Sequence, residues 1–156
     1  MMSDAKNKAG AIIPLRIALV VIGLTFIFGI YPQTVVWPSG WSWGHGSSHY
    51  LAMIIGIYAT LGVFLLIAVR NPLAHRSLIW FTVVSSVVHA GIMAVEAIAD
   101  PAERGHLVGD VPALLLVAVV LGALMSRAAK PLGLDQPAFP RKRGDSRGPT
   151  PASSPG

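Results

Sequence analysis

Thr82, Ser85, Ser86, His89, Met93, Glu96 and Asp100 recur three or four residues apart in a run that is otherwise mostly Val, Ala, Gly and Ile. At about 100° per residue they share one helical sector roughly 100° wide, so the polar groups of this helix lie on one face. An imidazole in the middle of an apolar helix can carry a proton or hold a ligand by a hydrogen bond. Ser85 lies one turn from His89, and Tyr58 or Thr60 of the preceding apolar segment offers a second hydroxyl. Glu96 adds a carboxylate two turns further on. The candidate pocket is therefore Thr82, Ser85, His89, Glu96 and Tyr58. The same pattern also serves as polar glue between helices, and composition does not separate the two.

Metal chemistry fails on spacing. At 1.5 Å per residue His89 and Glu96 are about 10 Å apart along the axis, too far to share an ion unaided. His106 and Asp110 lie four apart, but they flank a helix start where Asp110 suits a capping role, with Pro112 just behind it. A bis-histidine haem needs a partner at the depth of His89. His45, His49 and His106 are expected near one surface and His75 near the other. The chain has no Cys, which removes thiol catalysis, thiolate sites and disulfides. It has no Walker loop, GxSxG or HExxH. No cofactor and no metal are expected.

A second cluster is acidic. Glu96, Asp100, Glu103 and Asp110 stand near Arg104, their one fixed positive neighbour. Such a mouth, formed above all by Asp100, Glu103 and Asp110, attracts cations or protons. The alternative is a solvated turn in which Arg104 pairs with Glu103 or Asp100.

These residues must be positioned by elements that live in lipid. Charged residues make up 12% of the chain, about half the usual share. Ile17 to Val69 contains no Asp, Glu, Lys or Arg. Crossing the hydrocarbon core takes about 20 apolar residues in a helix. Four segments fit: residues 12–31, 50–69, 78–99 and 107–126, the last short in its apolar run. The expected fold is all-α, an integral membrane four-helix bundle over residues 12–126. A short N-terminal segment, 1–11, precedes it, and a basic, disordered tail, 127–156, follows it. The tail is rich in Pro, Gly and Ser and has too little apolar surface to offset ordering. Most of the net charge of +5 belongs to it, without interleaved aromatics, so nucleic acid is not an expected partner. The first segment lacks a small-residue cleavage pattern after Tyr31 and reads as a retained helix, not a signal peptide.

Eleven of the twelve basic residues fall on one side if both termini are cytoplasmic. Residues 32–48, rich in Pro, Gly and Ser, are then an external connection that cannot continue a helix. Trp37, Trp41 and Trp43, with Tyr31 and Tyr50, suit the headgroup zone or a lid over a ligand entrance. Arg70-Asn71-Pro72 and Asp100-Pro101 end helices, because Pro disfavours helix in the residue before it. Ala52, Gly56 and Thr60, and likewise Ala118, Gly122 and Ser126, place small residues every four positions, which suits close helix packing.

The run Ile55–Phe64, the stretch Arg70-Asn71-Pro72-Leu73 with His75–Phe81, Ser85–Ala90, Asp100–His106 and Asp110-Val111-Pro112 together resemble a domain-of-unknown-function family of small bacterial four-span membrane proteins. The resemblance covers about Leu15 to Met125. It implies the four-helix fold and a bacterial inner (plasma) membrane location, and no activity. A looser likeness to DoxX-like proteins rests on architecture alone.

Three function classes follow. The first is a small multi-pass protein, more accessory than enzymatic, that binds a lipophilic small molecule such as a quinone or lipid, or handles a proton, at the helix-three pocket. The second is a structural or assembly subunit whose polar stripe meets a partner helix or a second copy. The third is a redox or metal-dependent membrane enzyme subunit, for which no complete catalytic set is present.

Overall fold

The computed structural model describes residues 2–42 and 49–129. Trp43, His45 and residues 130–156, which hold nearly all of the tail expected to be disordered, lie outside the described residues. Arg127–Ala129, assigned to that tail from sequence, continue the last helix.

Helix α1, Met2–Leu24, runs into a five-residue π turn, Thr25–Gly29, and resumes as α2, Ile30–Val36. A short helix α3, Pro38–Trp41, follows. Then come α4, His49–Ala68, and α5, Arg76–Ala99. A 3-10 turn, Pro101–Leu107, leads into α6, Asp110–Ala129. Four spans are long and apolar enough to cross a membrane: Ile12–Val36, His49–Ala68, Arg76–Ala99 and Pro101–Ala129. The fourth apolar run gains its length past Ser126, where α6 continues to Ala129.

One boundary differs from expectation. Residues 32–36 are helical, although Pro32 was read as the end of the first span. Proline removes an amide and crowds the carbonyl four residues back. Here the π turn shifts the helix register just ahead of it, and Pro32 falls in the first turn of the resumed α-helix, where a missing amide costs least. The chain breaks instead at Trp37, whose φ of −136° and ψ of 72° leave the helical region.

The helices are ordered around the bundle as α4, α1, α6 and α5, with α5 against α6, α1 against α6, and α4 against α1 and the π turn. The fourth edge, between α4 and α5, lacks comparable packing. A close crossing of α1 and α4 joins two glycines: a Cβ on Gly62 would stand 2.6 Å from the Gly23 carbonyl oxygen. The small-residue row expected to pack α4 is on another face. Ala52, Gly56 and Thr60 are exposed, and a Cβ on Gly56 would meet nothing within 4 Å. Gly62 lies six residues on from Gly56, about 240° round the helix. On α6 the expectation fits better, since Ala118 is buried and Gly122 faces Val83 of α5.

The main core holds Leu15, Leu19, Leu65, Ile79, Leu121 and Met125, all nearly or wholly buried. Large apolar side chains such as Phe28, Ile57, Val95 and Val119 point outward. An exposed apolar surface this extensive suits lipid, where helices are held by close packing and not by escape from water. At the end of the main core, Arg16 donates from its guanidinium to the Arg70 carbonyl at 2.9 Å, satisfying the chain just past α4. A second, smaller cluster of Ala90, Met93, Val111 and Leu114 lies at the opposite end, and Tyr58 touches both clusters.

Candidate functional site

The end of the bundle that carries α3 and the 3-10 turn is built differently from the rest. Gly105 and Gly109 press against the backbone of Ser39 and Gly40, so closely that a Cβ at either position would collide with a carbonyl oxygen. Gly40 in turn lies on the Trp37 ring, where an added Cβ would be 2.9 Å from the indole. Three glycines thus let α3 lie flat across the turn. That placement makes Trp41 part of the wall of an internal cavity of about 100 Å³.

Phe26, Tyr58, His89, Met93 and Asp110 line the same cavity, with aliphatic side chains of α4 and α6. Phe26 and Tyr58 meet edge to face, with centroids 4.9 Å apart and rings at 77°. The Tyr58 hydroxyl lies 3.2 Å from His89 Nδ1, and in the Nε2–H tautomer it donates to that nitrogen. A larger groove of about 620 Å³ runs along the open α4–α5 edge, lined by Ser85, His89, Glu96 and apolar neighbours. Leu51, Ile54, His89 and Met93 border both spaces, so His89 stands between groove and cavity.

Asp110 opens α6 and is nearly buried. Its Oδ2 lies 2.9 Å from Nδ1 of His106, and because a carboxylate only accepts, Nδ1 is the donor. His106 is fully buried, and its Nε2 is 3.3 Å from Oε2 of Glu103, which reaches the surface. The second carboxylate oxygen of Asp110, Oδ1, is buried and has no hydrogen-bond partner among the described residues. A buried carboxylate oxygen left unpaired is costly unless something else occupies its lone pairs.

The residues singled out from sequence scatter across this arrangement. Tyr58 and His89 meet. Ser85 and Glu96 border the groove, with Glu96 exposed. Thr82 is fully buried away from both spaces, and its hydroxyl donates to the Leu78 carbonyl of its own helix at 2.9 Å. Ser85 likewise donates to the Thr82 carbonyl at 3.2 Å, so neither hydroxyl holds His89. Thr60, the other hydroxyl considered for that role, donates to Gly56.

The acidic mouth divides. Asp100 Oδ1 accepts from the Ala102 amide at 2.9 Å and caps the 3-10 turn. Glu103 turns to His106 and not to Arg104, which corrects the expected solvated ion pair. Asp110 faces the interior. It pairs with His106, because the 3-10 turn brings the two side chains together inside the bundle. Trp41, expected with its neighbours at the headgroup zone or as a lid over a ligand entrance, lines the cavity, whereas Phe26 is not among the residues singled out from sequence. Sequence reading had the four-residue spacing of His106 and Asp110 in view and set it aside.

The fold and the outward apolar surface define an all-helical, four-span membrane protein with a polar-anchored cavity at one end. Residues 9–147 match the family described as Family of unknown function (DUF6632), and the chain belongs to that family. No curated protein and no solved structure matches it.

Proposed function

We propose that the protein binds a lipophilic small molecule, taken up from the membrane through the α4–α5 groove, with its polar head at Tyr58, His89 and Asp110. The observation that carries this reading is the cavity itself: mostly apolar walls with a few converging polar groups, one of them a buried carboxylate whose Oδ1 has no hydrogen-bond partner among the described residues. Binding sites have this character. The cavity has room for several waters or a small ring-sized group, and a tail would extend along the groove. Binding without chemistry is favoured over catalysis, since no nucleophile with its base and no complete catalytic set surrounds the cavity. The bacterial inner membrane, with both termini cytoplasmic, is the proposed setting. It follows from the family resemblance and from the lopsided distribution of Lys and Arg.

The test uses Ala113→Trp, which fills the cavity from α6 without removing a polar group, and Val119→Trp, which adds the same bulk on the lipid face. Protein purified in mild detergent is extracted with solvent, and the extract is analysed by mass spectrometry. A lipophile retained in near-stoichiometric amount by the wild type and Val119→Trp, and lost from Ala113→Trp, is expected. Equal retention by all three would exclude the cavity as the site.

A second reading has its own observation. The exposed face of Ala52, Gly56 and Thr60 could receive a helix of a second copy or of another membrane protein. Gly56→Leu would then dissociate an oligomer seen by native mass spectrometry, and a monomeric wild type would remove this reading.

A further inference from the structure

We infer that the head group taken by this cavity is a cation, a protonated amine on an alkyl or aryl tail, with Asp110 as its counter-ion. The inference rests on the cavity being a binding site and adds the chemical class of what it binds.

Two independent features of the cavity select a cation. The first is Oδ1 of Asp110, which has no hydrogen-bond partner among the described residues and which only a hydrogen-bond donor can satisfy. The second is the wall: Phe26, Trp41 and Tyr58 present aromatic rings to the same small space. Rings of this kind attract ammonium groups through their negative faces, most strongly away from water. A neutral alcohol would satisfy the oxygen but gain little from the rings, whereas an ammonium uses both.

The surrounding charge points the same way. Glu103 and Asp110 flank a single imidazole, so with both carboxylates ionised the cluster stays negative whether His106 carries one proton or two. Neither Lys nor Arg lines the cavity. Glu96, on the groove that leads inward, adds a further negative group along the approach. An anionic head would meet repulsion at every step of this path.

The experiment compares isotope-labelled decylammonium and decanol, which share a tail and differ in the head. Both are equilibrated at neutral pH with the protein in nanodiscs of zwitterionic lipid, and retention on empty nanodiscs is subtracted. The wild type should hold decylammonium about tenfold or more tightly than decanol, the margin expected when a hydrogen bond to a charged group is gained. Asp110→Asn should erase that preference, bringing decylammonium retention down to that of decanol. Trp41→Leu, which keeps an apolar wall, should reduce the preference without abolishing it.

Equal retention of the two probes by the wild type would overturn the cation inference while leaving a lipophile site in place. Retention of neither above empty nanodiscs would remove both. Should Asp110→Asn fail to fold, the wild-type comparison and Trp41→Leu still decide the matter.

Discussion

The two ends of this bundle use opposite means of holding helices together. At the end of the Arg70–His75 hairpin, Leu15, Leu19, Leu65, Ile79, Leu121 and Met125 close on one another in a single apolar cluster. At the α3 end, buried apolar residues are few, and a Glu103–His106–Asp110 chain and a Tyr58–His89 pair take their place. The first end gathers the larger apolar core, and the second holds the cavity. A bundle needing only stability has no reason to bury a histidine between two carboxylates, where desolvation opposes the attraction. The polar end is better understood as a site that the packed end supports.

Substitutions can break this contrast, and the largest effect is expected where a buried charge loses its partner. His106→Ala leaves Asp110 and Glu103 facing each other and should cost about 4 kcal/mol, read by unfolding in mixed micelles. Leu121→Ala, in the packed end, should cost about 3 kcal/mol through the cavity it leaves, yet spare ligand retention at the other end. Retention lost in step with stability would mean that the two ends do not behave as separate regions. Gly109→Ala drives a methyl group into the Gly40 backbone and should cost about 2 kcal/mol. It should also speed amide exchange in α3, while Gly56→Ala, in open space, leaves both measurements unchanged. Tyr58→Phe removes one hydrogen bond and should cost only about 1 kcal/mol in the unfolding assay.

Much of the packed end was legible in the sequence, and much of the site was not. Uninterrupted apolar runs and Pro-marked turns specify four spans almost directly, because a span is a matter of length and hydropathy. Tyr58 as a partner for His89 was within reach for the same reason, since two polar groups at similar depth on neighbouring helices have few other choices. Thr82 and Ser85 went astray because hydroxyls in helices return to the carbonyl three or four residues back, a competition that face-counting ignores. Phe26 carried no local signal, and Trp41 stood out only as one of several aromatics suited to the headgroup zone or a lid. Their role depends on a π turn and on three glycines that lay α3 across the bundle, and both are products of tertiary packing. His106 and Asp110 had the right spacing, but reading Asp110 as a cap at a helix start left out the turn that folds His106 inward beside it.

The claim that the open α4–α5 edge leads a membrane-borne molecule to the cavity can be tested most directly by photolabelling. A diazirine-bearing alkyl amine is added to the protein in nanodiscs, activated by light, and its adducts are mapped by peptide mass spectrometry. Adducts concentrated on Leu51, Ile54, Tyr58, His89 and Met93, and competed away by decylammonium, are the expected result. Adducts spread evenly over lipid-facing positions such as Val95 and Val119, and indifferent to competitor, would contradict it.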